Sequence, residues 1–257
     1  VSARRLARYY DLDLALDEQA DVEMYLAFAE ATDGTVLELM AGTGRVAVPL
    51  AAAGHKVVAV DRDTQMLERA LRRWTATERV NGGSLDLVEH DVTTLALDER
   101  FALVVVALNS LLLLESRAAQ RAAVATAARH LASSGRAVID TWLPAPEDLA
   151  LYDGRLVLDW TALDDEADEW VSKTTSARYE SATRVAQVTS FFDAWPDDGK
   201  TTRTLRQETI TFTAADELMA MAEDAGLEIE TLAGDYEMGH FAASSDRLVM
   251  VCRAATD

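Results

Sequence analysis

Apolar positions in the first 142 residues come in short runs separated by stretches with helical spacing. Val36–Met40, Lys56–Asp61, Ser84–Glu89, Phe101–Leu108 and Arg136–Trp142 read as strands. A helix is predicted over residues 15–31, with Val22, Tyr25, Leu26 and Phe28 or Ala29 on its apolar face. A second runs from the glycines at 42–44 through Ala53 and stops at Gly54. Residues 63–76 form a third, with Met66, Leu67, Ala70, Leu71 and Trp74 on one face, and the Ala-rich segment 115–132 a fourth, closed by Ser133-Ser134-Gly135. Asn81-Gly82-Gly83 is a turn. The unbroken apolar run after Phe101 suits a strand buried on both faces. Strands alternating with helices predict a parallel α/β sheet with helices on both faces.

The helical period disappears between about 150 and 212. Leu156–Leu163, Trp170–Arg178, Arg184–Trp195 and Thr201–Thr213 are rich in Val, Thr and aromatics, and Pro196-Asp197-Asp198-Gly199 is a hairpin signal between the last two. The segment is therefore an antiparallel insertion. The α/β pattern then resumes. Thr213-x-x-Asp216 reads as a capping box, Leu218, Met221, Ala222 and Ala225 as a helix face, and Leu227–Leu232 with Arg247–Arg253 as a pair of strands at the sheet edge. The expected division is one domain from 1–142 and 213–257, interrupted by an insertion at 143–212.

Composition narrows the function. The single cysteine, Cys252, excludes an internal disulfide, and the N-terminal stretch has no secretory pattern, so a cytoplasmic location is expected. The apolar run Leu103–Leu114 is shorter than the roughly 20 residues of a membrane span. A net charge of −20 repels phosphate backbones and anionic lipid, so neither nucleic acid nor a membrane is an expected partner.

The candidate chemistry centres on Val36-Leu-Glu-Leu-Met-Ala-Gly-Thr-Gly-Arg45, a strand entering a glycine turn. Gly42 and Gly44 let the backbone approach a ligand, and Asp61 ends the next strand, where a carboxylate accepts hydrogen bonds from ribose hydroxyls. Gly42-x-Gly44-x-x-Ala47 also satisfies a dinucleotide pattern, which makes an NAD-dependent oxidoreductase the competing reading. Glu38 argues against it. A carboxylate late in the first strand is unhelpful to a pyrophosphate and attractive to an amino acid's ammonium. His90-Asp91 ends the third strand, where a carboxylate can meet an adenine amino group.

On these residues the chain resembles the class I S-adenosylmethionine-dependent methyltransferases. It is most similar to the bacterial small-molecule type that carries an antiparallel insertion after the fifth strand. The resemblance takes in Tyr9-Tyr10-Asp11-Leu12-Asp13, the glycine loop, Ala107-Leu108-Asn109-Ser110-Leu111-Leu112 and Gly234-Asp235-Tyr236. It implies a Rossmann-like seven-stranded sheet whose last strand is antiparallel, an insertion acting as lid, and S-adenosylmethionine as methyl donor. In its terms Glu38 holds the methionine ammonium with the Leu108 carbonyl. Met40, Ala41, Gly42 and Gly44 line the donor, Asp61 with Arg62 beside it takes the ribose, and Met66, Asp91 and the Val92 backbone take the adenine. Tyr10, Tyr25 and Arg45 are candidates for the methionine carboxylate. Met40 stands where the family has its first glycine, and Leu113 where a histidine is often found.

Asn109 and Trp142 follow the fourth and fifth strands and are candidates for the acceptor pocket, as are Tyr236 and His240 from the loop near the chain's end. If a general base is needed, His240, Tyr10 and Tyr236 are the candidates. The acids Asp164, Asp165, Glu166, Asp168 and Glu169 read as a solvated turn, and no metal site is expected. The expected function is methyl transfer to N, O or C of a small-molecule acceptor, by a chain able to form a homodimer. A protein of the same fold that binds the donor without transferring methyl is the third reading.

Overall fold

The computed structural model describes residues 2–15, 20–79, 82–196 and 199–255. The Asn81 of one predicted turn, and Asp197 and Asp198 of another, lie outside them. Helix α1 (Ser2–Ala15) is followed by α2 (Ala20–Glu30), β1 (Val36–Leu39), α3 (Ala47–Ala52), β2 (Lys56–Asp61), α4 (Thr64–Ala76), β3 (Ser84–Glu89) and β4 (Phe101–Val106). A short 3-10 turn at Ser110–Leu113 leads to α5 (Arg117–His130) and β5 (Leu131–Trp142). Next come α6 (Pro146–Ala150), β6 (Asp153–Asp164), β7 (Glu169–Glu180), β8 (Val185–Trp195) and β9 (Thr202–Thr211), then α7 (Ala215–Asp224), β10 (Leu227–Ala233) and β11 (Arg247–Ala254).

Two compact units result. The larger comprises the described parts of Gln19–Leu143 and Thr213–Asp257. It is the expected α/β sheet, seven strands in the order β10-β11-β5-β4-β1-β2-β3. Neighbouring strands from β1 to β5 are parallel, and β11 is antiparallel to both β5 and β10. The order reverses between β1 and β4, the crevice where open α/β sheets bind ligands.

Strand residues alternate between the two faces, and each face has its own core. Leu37, Leu39, Val58, Val60, Val104, Val106, Ala137, Ile139, Leu248 and Met250 pack with α5 and α7 residues such as Val124 and Leu218. Val36, Val57, Ala59, Leu103, Val105, Val138, Val249 and Val251 pack with α2 and α3 residues such as Tyr25, Val48 and Leu50.

Several expected boundaries change. Strand β5 begins at Leu131, not Arg136, so Ser133–Gly135 is extended backbone; a register shift between Phe101 and Leu103 of β4 accommodates it. Leu71 is 51% exposed, because the buried stripe of α4 runs through Leu67, Ala70 and Trp74. The cap of α7 sits one residue later than predicted. Glu217 Oε2 accepts from the Ala214 N–H at 3.2 Å, whereas the Thr213 hydroxyl donates to Gln120 Oε1 at 2.6 Å.

The second unit is Pro144–Phe212 with α1. Its sheet is an antiparallel meander, β6-β7-β8-β9. The division expected at 143–212 is thus corrected at its other end, since α1 belongs with the insertion and not with the α/β unit. The contacts explain why. Tyr9 stacks on Phe192 with ring centroids 5.1 Å apart, in a small core with Val171 and Ala194. Asp13 receives Lys173 Nζ at 2.8 Å and Trp160 Nε1 at 2.6 Å, and Arg8 pairs with Asp164 and with Glu169 (2.9 Å). Asp164 and Glu169, read from sequence as parts of a solvated turn, are anchors for α1.

Among the described residues no helix is long and apolar enough to cross a membrane. One glycine is locked by close approach: a Cβ on Gly83 would stand 1.9 Å from the Ala51 carbonyl oxygen, which belongs to backbone that cannot swing aside. Gly83→Ala is therefore expected to destabilise the α/β unit by at least ~2 kcal/mol, read as a fall of several degrees in Tm by calorimetry; an unchanged Tm contradicts the packing described.

Candidate active site

The two-residue period that builds the sheet also places its charges. Glu38 follows Val36, Asp61 follows Val57 and Ala59, Asp140 follows Val138, and Arg247 precedes Val249 and Val251. All four side chains therefore project to the face covered by α2 and α3. Three of them, Glu38, Asp61 and Asp140, lie at or near the C-terminal ends of parallel strands on either side of the order reversal.

The connection after β1 is tight. Met40, Gly42 and Gly44 have φ of 58°, 55° and 74°, all in the left-handed region. Gly44 also has no room for a side chain, since a Cβ there would sit 3.0 Å from both the Ala70 and Val48 side chains. The Ala41 N–H donates to the Val60 carbonyl at 2.9 Å, which ties the turn to β2. Met40 adopts a conformation that a glycine takes without strain and that costs a methionine about 1–2 kcal/mol.

Glu38 is 3% exposed, and burial pushes its carboxyl up to about 8 against the opposing pull of Arg45 and a backbone hydrogen bond from Ala47. Its Oε2 has no hydrogen-bond partner, and neither have two other buried groups of this unit, the hydroxyls of Tyr25 and Thr43. Unpaired buried polar atoms are costly, and such a set marks a place where a ligand supplies the partners. One acceptor and two hydroxyl donors match the ammonium and carboxylate of an amino-acid head group. Thr43 was missed by sequence reasoning, although its place between Gly42 and Gly44 is a usable signal.

Asp61 is held by the same turn. Its Oδ2 accepts from the Gly42 N–H at 2.8 Å and its Oδ1 from the Asp63 N–H at 2.9 Å. Burial raises its pKa and these two bonds oppose the rise. Each oxygen keeps capacity for one more hydrogen bond, the demand that a vicinal diol makes. The head-group atoms and Asp61 together fit S-adenosylmethionine, which has an amino acid at one end and a ribose next to it.

Other sequence candidates are placed as follows. Arg45 is buried with both terminal nitrogens on Asp21 of α2, at 2.7 and 2.5 Å. Drawing it to a ligand carboxylate means breaking that fork, so Arg45 is a poorer candidate for that role than Tyr25. Asp91 is exposed, and its Oδ1 accepts from the Thr93 N–H (2.8 Å) and hydroxyl (2.7 Å), which lower its pKa. Val92 buries its side chain in the core, and its carbonyl accepts from Thr126. Met66 is half-buried on α4 and Arg62 is exposed beside Asp61. Tyr10 lies on α1, which belongs to the other compact unit.

The acceptor-side candidates divide. Asn109 and Trp142 come together, the Asn109 Oδ1 accepting the Trp142 N–H at 2.6 Å. Tyr236 donates its hydroxyl to Asp140 Oδ2 at 3.2 Å, and burial together with that carboxylate pushes its pKa up. A buried phenol donating to a carboxylate holds its proton more tightly, which weighs against Tyr236 as a base. His240 is exposed at the end of the same turn, where its backbone bridges to Ala233. Asp21, Asp140 and Arg247, which link these residues, were not singled out from sequence. Among the described residues no group of three or more His, Cys, Asp or Glu is arranged to hold a metal ion.

Comparison with known proteins agrees with the geometry. A family model described as a methyltransferase domain matches residues 36–135, from β1 into β5. The chain is 30% identical over 244 residues to a cypemycin N-terminal methyltransferase from a Streptomyces species, covering 94% of this chain and 93% of the relative. Among solved structures it is similar to the CcbJ methyltransferase of Streptomyces caelestis, with 25% identity, a TM-score of 0.73 and coverage of 92% and 90%. It also shares the fold of the sugar N-methyltransferase KedS8 from a Streptoalloteichus species, with 21% identity, a TM-score of 0.72 and coverage of 96% and 93%. The chain belongs to the class I S-adenosylmethionine-dependent methyltransferases, of the bacterial small-molecule type. It is an enzyme, a methyltransferase that uses S-adenosylmethionine as methyl donor.

Glu38 links the site to pH. Its folded value of about 8 lies above the ordinary 4.5. The ligand-free fold therefore retains a proton that the unfolded chain has lost, and stability declines from about pH 4.5 to pH 8. Each unit of pKa difference is worth about 1.4 kcal/mol. Glu38→Gln, which mimics the neutral acid, is expected to match the unsubstituted protein in Tm near pH 4.5 and to exceed it by several degrees at pH 8. Thermal scans across that range check it, and equal slopes for the two proteins contradict the burial described.

Proposed function

We propose that the unpartnered carboxylate of Glu38 receives the ammonium of S-adenosylmethionine, and that the hydroxyls of Tyr25 and Thr43 receive its carboxylate. Asp61 takes the ribose diol. Met66, Asp91 and the backbone of Val92 form the adenine end, and Leu108, with Met40 and Ala41, lines the side nearest the methionine. The observation that carries this reading is the buried Glu38 Oε2 without a partner, on the same sheet face as Asp61.

We infer further that the acceptor atom is an amine nitrogen. The near full-length relative is by its name an N-terminal methyltransferase, and a strongly acidic chain favours cationic over anionic acceptors. When bound, the donor supplies a methyl group on a sulfonium sulfur, already activated for transfer. The protein's task is alignment and exclusion of water, and orientation is worth on the order of 7–11 kcal/mol where it is complete. A cationic amine gives its first proton to water before it reacts, the neutral form offers its own lone pair, and the proton left on the product nitrogen also goes to water, so no protein base is required. This suits a site in which Tyr236 keeps its proton and His240 faces solvent. Asn109 and Trp142 are assigned to the acceptor side, and acceptor choice to the inserted unit. The reading places the enzyme in the cytoplasm, with neither nucleic acid nor membrane as partner.

Calorimetric titration with S-adenosylmethionine, S-adenosylhomocysteine and NAD tests the donor site. The first two are expected to bind and NAD not. Glu38→Ala and Asp61→Ala should each weaken binding tenfold or more. At pH 7 binding should release close to one proton in the unsubstituted protein, because the ammonium draws Glu38 into its charged form, and none in Glu38→Ala; heats measured in buffers of different ionisation enthalpy read this directly. NAD binding, or affinity indifferent to Glu38, overturns the assignment.

A further inference from the structure

We propose that Asp140, which the sequence pattern did not single out, is a positioning residue whose buried carboxylate sets the wall of the donor site by holding Leu108 in a strained conformation. The inference rests on the reading that Leu108 lines the donor.

Asp140 lies near the end of β5, fully buried, on the sheet face that also carries Glu38 and Asp61. Three donors converge on it. Oδ2 accepts from the Leu108 backbone N–H at 3.1 Å and from the Tyr236 hydroxyl at 3.2 Å, and Oδ1 accepts from Arg247 Nη1. Arg247 in turn lies 4.5 Å over the Tyr236 ring. Burial raises the Asp140 pKa, and Arg247 and the Leu108 N–H oppose the rise.

What Asp140 holds is unusual backbone. Leu108 and Asn109 have φ of 43° and 63°, two consecutive non-glycine residues in the left-handed region. Asparagine tolerates this region, but for Leu108 it costs roughly 1–2 kcal/mol and persists only where the surroundings over-determine it. Those surroundings are the end of β5. Besides the Leu108 bond, the Asn109 N–H donates to the Asp140 carbonyl at 3.4 Å, and the Asn109 side chain accepts the Trp142 N–H at 2.6 Å. The turn so clipped follows β4, beside the order reversal, and Leu108 packs in one cluster with Ala41 of the glycine turn, Tyr25 and Tyr236. A role as mere counter-ion to Arg247 accounts for Oδ1 but leaves Oδ2, which serves Leu108 and Tyr236, unexplained.

Two double variants separate these roles. Asp140→Val with Arg247→Met replaces the ion pair by apolar groups, an exchange that buried pairs often tolerate. Asp140→Asn with Arg247→Met also removes both charges but leaves an oxygen for the Leu108 N–H. Affinity for S-adenosylmethionine and S-adenosylhomocysteine is read by calorimetry, and mobility of residues 107–110 by deuterium exchange without ligand. The Val/Met protein is expected to lose about tenfold in affinity for both ligands, the equivalent of releasing about 1.4 kcal/mol of held strain, and to exchange faster over 107–110. The Asn/Met protein is expected to recover most of both. Unchanged affinity in the Val/Met protein, or no recovery in the Asn/Met protein, overturns the proposal. If either variant does not fold, the Leu108 amide of the unsubstituted, ligand-free protein decides: protection comparable to that of central β4 amides supports the bond to Asp140, and rapid exchange overturns it. An unsubstituted protein that binds neither ligand sinks the donor assignments themselves, and this inference with them.

Discussion

A carboxylate taken out of water must be paired, hydrogen-bonded or protonated, and the α/β unit is organised by how its buried acids meet that demand. Asp21 is met by the Arg45 fork, and Asp140 by Arg247, Tyr236 and the Leu108 amide. Asp61 is met by two backbone N–H groups from the turns around it. Of these four acids Glu38 keeps an oxygen without a partner and responds by holding its proton to about pH 8. The satisfied acids give the site its shape, and the unsatisfied one is where a cationic ligand gains most.

The same acids hold the backbone where it is strained. Met40 ends β1 and Leu108–Asn109 follow β4, all with positive φ. These segments flank the reversal of strand order, where the two halves of the sheet part and leave a crevice. Asp61 ties the Gly42 N–H across from β2, and Asp140 ties Leu108 across from β5. In each case the side chain of a neighbouring strand fixes the loop that follows another. Such cross-strand clips keep a binding loop in shape before its ligand arrives, which lowers the ordering cost of binding.

The antiparallel unit follows a different logic. Tyr9 of α1 completes its small core with Val171, Phe192 and Ala194, and Arg8 and Asp13 fasten the helix to the sheet. Here partly buried ion pairs fasten a helix to a sheet, whereas in the α/β unit they fasten side chains around a site. Tyr10 travels with α1 in this unit.

The sequence by itself determined the α/β class, the five parallel strands, the insertion and the glycine turn with Glu38 and Asp61, because these are local. Period-two and helical spacing, turn residues and a motif within one strand–turn–helix span need no knowledge of distant neighbours. It did not reveal α1, whose helical stripe of Leu6, Tyr9 and Leu12 makes sense only against β7 and β8. Nor did it reveal Asp140, Arg247 and Asp21, although Asp140 and Arg247 keep step with Val138 and Val249 on the side-facing pattern. An isolated acid at a strand end looks the same whether solvent or an arginine from the last strand faces it. Only the register that pairs Val249 with Asp140, joining parts of the chain over a hundred residues apart, decides that. The partner of the Tyr236 hydroxyl was decided in the same way, by a carboxylate brought to it from another strand.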